Sequence, residues 1–187
     1  QGLRIFCEYR DSRSFPLLLP LLDQPCPVER MSVVYALGRN PCPSAVEKLV
    51  SLLETDDNAY VRRATAWSLA NYDNQIVLEP LINALKNDVA AVRLWSSSSL
   101  AEIGNVSLEN AQLAAEQLLI SLKIDNESGV RSNCIWSLCR LYEKLNNTFQ
   151  ESFVDECTKI ALFDKEPSVM EEAKTALDSM GMQGFYN

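Results

Sequence analysis

The stretch Asp88–Gly104, DVAAVRLWSSSSLAEIG, decides the fold. It reads as an acidic turn, a Val-Arg pair opening a helix, and a run of small residues closing on Leu100 and Gly104. The same design recurs at Val28–Gly38 (VERMSVVYALG), Asn58–Ala70 (NAYVRRATAWSLA) and Glu127–Cys139 (ESGVRSNCIWSLC), with a degraded copy in Lys165–Gly181. The arginines fall at Arg30, Arg62, Arg93 and Arg131, with Met170 in the fifth place. A leucine recurs seven residues later, at Leu37, Leu69, Leu100, Leu138 and Leu177. Both series step by 32, 31, 38 and 39 residues. Two residue types sharing one set of intervals mark a structural repeat, in the period range of helical solenoids.

Working outward, each copy is preceded by a second helical segment. Leu17, Leu49 and Leu118 stand thirteen residues before their own arginines, and Leu81 stands twelve before Arg93. Pro16 suits a first helical turn and Pro20 ends that helix early. Gly38 suits a helix C-cap, and Ser44 with Glu47 suits a capping box. Ser107 is placed to cap the first helix of the fourth repeat. No stretch alternates with period two for long, and good helix formers fill the segments. The expectation is ten helices in stacked antiparallel pairs, plus a partial one at Gly2–Arg10 left by a truncated N-terminus.

Composition removes several functions. Net charge is −8 and the chain has no histidine. An acidic chain lacks the clustered basic surface that nucleic acid requires. Without histidine, serine or cysteine nucleophiles paired with it are excluded, as are dinuclear iron sites held by His-Glu pairs. No apolar run reaches the roughly 18 residues of a membrane span. The six cysteines form no C-x-x-C and read as reduced thiols of a cytoplasmic protein. Cys26 and Cys42 lie in turns roughly 18 Å apart at opposite ends of a helix, so they cannot share a metal within one repeat.

The L-x-x-L of the first helices, the turn aspartate, and the Val-Arg opening and Leu-Gly closing of the second helices resemble HEAT repeats. YVRRATAWSLA (60–70) and AVRLWSSSSLAEIG (91–104) are more particularly similar to the phycobilisome-lyase HEAT-like group of cyanobacteria. The resemblance covers about residues 13–181. It implies an all-α, right-handed α-solenoid of about five helix pairs, one continuous unit over 1–187. It also implies a scaffold of the bilin-lyase or bilin-chaperone kind, which presents an open-chain tetrapyrrole to phycobiliprotein. Such a protein holds no cofactor tightly, only a bilin in passing, and any activity would be of the bilin-lyase type. Its partner would be phycobiliprotein or a second HEAT subunit. The other reading is a non-enzymatic protein–protein adaptor, for example in iron–sulfur cluster assembly.

Helical geometry then sorts the side chains. With the Val of each Val-Arg pair (Val61, Val92, Val130) as origin, the fourth, seventh and eleventh residues onward share the packed face. The second, sixth and ninth lie about 180–240° around, on the side that lines the concave surface of HEAT solenoids. This stripe holds Met31, Tyr35, Arg63, Trp67, Leu94, Ser98, Trp136 and Cys139. Tyr35, Trp67 and Trp136 either stand in a groove for a flat apolar ligand or partner helix, or fold over neighbouring repeats as packing. Arg63 is the candidate for a ligand carboxylate such as a bilin propionate. Arg62, Arg93 and Arg131 are expected to pair with the turn carboxylates Asp57, Asp88 and Asp125 of their own or adjacent repeats. No residue is assigned a catalytic or metal-binding role.

Overall fold

The computed structural model describes residues 5, 11–182 and 184. Apart from residue 5, the helix expected at residues 2–10 therefore lies outside the described residues. Among the described residues from 11 onward, ten α-helices follow one another: α1 Phe15–Leu18, α2 Pro27–Arg39, α3 Val46–Thr55, α4 Ala59–Leu69, α5 Leu78–Asn87, α6 Ala90–Gly104, α7 Leu108–Ile124, α8 Ser128–Leu141, α9 Asn147–Phe163 and α10 Pro167–Ser179. No strand occurs among the described residues. The chain divides into two compact units, residues 1–103 and 104–187.

In the first unit α2 packs on α4, and α3 packs on both α4 and α5. In the second, α8 packs between α7 and α10, and α9 packs on α10. Short turns between consecutive packed helices make each pair antiparallel. The packed face is the one the periodicity marks. Val61, Thr65, Ser68 and Tyr72 are buried, as are Val92, Ser96, Ser99 and Ile103. Leu37, Leu69, Leu100, Leu138 and Leu177 are fully buried. Small hydroxyl residues let the backbones approach, and one of them bridges: Ser99 Oγ donates to the Ala66 carbonyl at 2.8 Å. The Tyr72 hydroxyl donates to Leu37 O at 3.1 Å and accepts from Cys42 N–H at 3.4 Å, tying the second helix pair to the first. Burial pushes that hydroxyl up to about 12.

Local signals explain most helix ends. Asn58, Ser107 and Asn146 cap α4, α7 and α9 through their side-chain oxygens. Pro20 stops α1 at Leu18, and a 3-10 turn continues over Leu19–Asp23. Two capping expectations fail. Ser44 does not cap α3, because a 3-10 turn over Pro43–Ala45 intervenes and its hydroxyl sits 3.0 Å from Cys42 Sγ instead. Gly38 is not a C-cap but lies within α2, which runs on to Arg39. Its reason is space: a Cβ there would stand 2.6 Å from Trp67 Cζ3 and 3.2 Å from Ser68 Cα.

An arginine ladder joins the turns within each unit. Arg30 donates Nε and Nη2 to both carboxylate oxygens of Asp56 at 2.8 Å. Arg62 does the same to Asp88 at 2.7 and 2.6 Å, and Arg131 to Asp164 at 3.0 and 2.7 Å. Each Nη1 donates to a carbonyl of its own preceding turn: Gln24 for Arg30, Asp56 for Arg62, Asp125 for Arg131. Arg93 follows suit, donating to Asp88 O at 2.8 Å. The carboxylate thus comes from the turn of the following repeat, and it also accepts a backbone N–H at the next helix start: Asn58 N for Asp56 and Glu166 N for Asp164. One fork thereby satisfies two helix ends. In the turn after α3 the ladder carboxylate is Asp56, the buried C-cap residue, while its exposed neighbour Asp57 stands outside the ladder. The Asp125 carboxylate accepts from Glu127 N at 2.9 Å. Burial works to raise the Asp56 and Asp164 pKa values, but the guanidinium and backbone N–H donors outweigh it and both are lowered.

Candidate functional site

The stripe of the first unit is built by α2 and α4, whose close approach at Gly38 brings their outward side chains together. Tyr35 and Trp67 meet with ring centroids 5.3 Å apart, tilted by 56°. That is a favourable arrangement for two quadrupoles. Arg63 donates Nη2 to the Tyr35 hydroxyl at 3.2 Å and its guanidinium lies 5.8 Å from the Tyr60 ring. The Arg39 guanidinium lies over Trp67 at 5.4 Å. Met31 borders the cluster on α2, half-buried like Tyr35, Arg63 and Trp67.

The electrostatics of this cluster are distinctive. Arg30, Arg62 and Arg131 have carboxylate partners; Arg39 and Arg63 have none among the described residues. The Arg63 Nε is buried with no hydrogen-bond partner. On a chain of net charge −8, two guanidinium groups without a carboxylate partner among the described residues thus contact one aromatic pair, one at each ring.

The other stripe residues are distributed as follows. Leu94 and Ser98 are half-buried on α6. Trp136 and Cys139 belong to the second unit, on α8. Trp136 is 40% exposed, with the Arg140 guanidinium 5.0 Å above its ring. Cys139 is no nucleophile in waiting: burial, then the Glu172 charge, push its thiol up to about 11. Cys157 is buried and raised further, mainly by desolvation. Among the described residues, no three His, Cys, Asp or Glu side chains come together as a metal site. Nor is any described helix long and apolar enough to cross a membrane.

The recurring Val-Arg ladder and paired helices agree with the match to known families. The HEAT repeats family matches residues 2–70 and 46–139. The chain belongs to the HEAT-repeat family. No curated protein sequence matches it. Among solved structures, the complex of CpcE and CpcF of phycocyanin lyase from a Nostoc species is similar, with TM-score 0.68 and 22% identity over 89% of this chain and 99% of that one. An engineered protein is similar at the same TM-score, with 21% identity over 96% and 89%. The fold is therefore an all-α HEAT solenoid, shared with the phycocyanin lyase complex. Arg39, Tyr60 and Arg140 were not singled out in the sequence. Spacing was the signal available for two of them: Tyr60 precedes Arg63 by three residues and Trp136 precedes Arg140 by four, one helical turn in each case.

Proposed function

We propose that this HEAT-repeat protein is a binding scaffold of the bilin-lyase or bilin-chaperone kind, and that α2 and α4 of the first unit hold an open-chain tetrapyrrole. The observation that carries the reading is the pair Arg39 and Arg63, without carboxylate partners among the described residues, one over Trp67 and the other on the Tyr35 hydroxyl. A flat conjugated ligand with two carboxylates matches that arrangement: the rings stack on the aromatic pair and each carboxylate neutralises one guanidinium. The lyase complex among the similar folds supports a lyase-like role with a protein partner, which in this reading is phycobiliprotein or a second HEAT subunit.

The chain's part is to bind and orient. In a scaffold of this kind the attacking thiol comes from the acceptor protein, and the buried Cys139 on the stripe, its thiol pushed up by burial, is not needed as a nucleophile. The bilin is held in passing rather than as a resident cofactor, and the cytoplasm is the compartment in which such thiols stay reduced. Titrating the protein with phycocyanobilin and recording absorbance tests the reading. A saturable spectral change at micromolar concentration is the expected result, lost in Arg63→Met and Trp67→Ala. No change, together with a stably co-purifying protein partner, would favour a pure adaptor, as in iron–sulfur assembly.

A further inference from the structure

The ladder creates the same hollow in both units, and the two copies are surfaced differently. In the first unit, a hollow of about 390 Å³ opens beside Arg62 and Asp88. In the second, one of about 430 Å³ opens beside Arg131 and Asp164. Register makes them comparable residue by residue. Eight and seven residues before the ladder arginine stand Glu54 and Thr55 in the first unit, Lys123 and Ile124 in the second. Five residues and one residue before the ladder aspartate stand Asn83 and Asn87 in the first unit, Lys159 and Phe163 in the second.

The repeat therefore supplies its own control. The hollow follows from the ladder; its lining does not. Where the first unit has threonine and asparagine, the second exposes Ile124 by 72% and Phe163 by 81%. Large apolar side chains so exposed, at positions the fold lets be polar, mark a surface that something covers. The basic replacements add a sign. Lys123 and Lys159 share one carboxylate, Glu156, at 3.9 and 3.6 Å, which leaves a positive excess. Lys165 lines the same hollow. Set against Asp125, Glu156 and the Arg131–Asp164 pair, which line it too, the three lysines leave one positive charge in excess on a chain of net charge −8. A two-fold self-contact here would set lysines against their own copies, so a second copy meeting face to face is disfavoured.

We infer that the hollow between α7 and α9 in the second unit docks a short acidic segment of a partner protein, with an apolar side chain between Ile124 and Phe163 and carboxylates at Lys123 and Lys159. This surface is separate from the Tyr35–Trp67 cluster, and neither assignment needs the other.

The test pans a random twelve-residue phage-displayed peptide library against the immobilised full chain, then measures synthetic copies of the enriched peptides by fluorescence polarisation. Enrichment of net-acidic peptides bearing Leu, Ile, Phe or Trp is expected. Their affinity should fall at least tenfold for the double variant Ile124→Thr, Phe163→Asn, which copies the first unit's lining, and for Lys123→Glu. Asn83→Ala with Asn87→Ala, at the matching positions of the first unit, should leave it unchanged. Circular dichroism confirms that each variant folds. Four results would overturn the inference: no enrichment, peptides without acidic bias, binding indifferent to the second-unit changes, or concentration-dependent dimerisation abolished by the Ile124→Thr, Phe163→Asn variant.

Discussion

The two units share a skeleton and differ in what they display. Arg62–Asp88 in the first and Arg131–Asp164 in the second have the same bidentate geometry and the same third bond to the preceding turn. Yet the first unit gathers Arg39 and Arg63 around Tyr35–Trp67, whereas the second leaves Trp136 more open under Arg140 and surfaces its ladder hollow with Lys, Ile and Phe. Repetition identifies what the fold requires. Departure from repetition points to what is left for binding.

The largest expected effect is on the shared skeleton. Arg131 and Asp164 are 6% and 9% exposed, so Arg131→Met strands a buried carboxylate and should cost about 3 kcal/mol in urea unfolding. The Arg62–Asp88 pair is more open, and Arg62→Met should cost less, about 2 kcal/mol. Equal, negligible losses would break the claim that the ladder holds the repeats. Acid sharpens the same point. Because folding lowers the Asp56 and Asp164 pKa values, their contribution is complete above the unfolded value of about 4 and disappears as pH falls through the lower folded values. Thermal unfolding across that window should show the wild-type melting temperature falling more steeply than that of Arg131→Met.

Smaller effects separate the two helix approaches. Gly38→Ala sets a Cβ against Trp67 and the Ser68 backbone, and should destabilise by about 1–2 kcal/mol while altering tryptophan fluorescence. Gly104→Ala meets the flexible end of Leu141 at 2.8 Å, and the better helix propensity of alanine offsets much of the strain. Its stability should stay within about 1 kcal/mol of wild type. Smallest of all, the exposed Lys174–Glu171 pair should contribute under about 0.5 kcal/mol by double-mutant cycle in salt.

How far the sequence reveals these features follows from their physics. The paired helices, the packed face and the buried leucines are legible because helical period and burial act on every repeat alike. The ladder arginines were legible for the same reason. Which aspartate each one reaches was not, since Asp56 and Asp57 are adjacent and only the extended backbone at Asp56 selects between them. Gly38 shows the same limit: composition suggests a cap, and only the arrival of Trp67 from the next helix pair explains it. Trp67 with Arg63 was visible as a stripe, but the Arg39 contact depends on where α2 ends. The second-unit hollow becomes visible once the ladder fixes the register between repeats.

The central claim is that Arg39 and Arg63 bind the two carboxylates of a tetrapyrrole lying on Tyr35 and Trp67. Comparing phycocyanobilin with its dimethyl ester by absorbance titration tests it most directly, because the rings are unchanged and only the charges are removed. Charged hydrogen bonds of this kind are worth about 1.5–3 kcal/mol each, so the free acid should bind at least about tenfold more tightly. That preference should disappear in the Arg39→Met, Arg63→Met variant. Equal affinity for acid and ester in the wild-type protein would contradict the account.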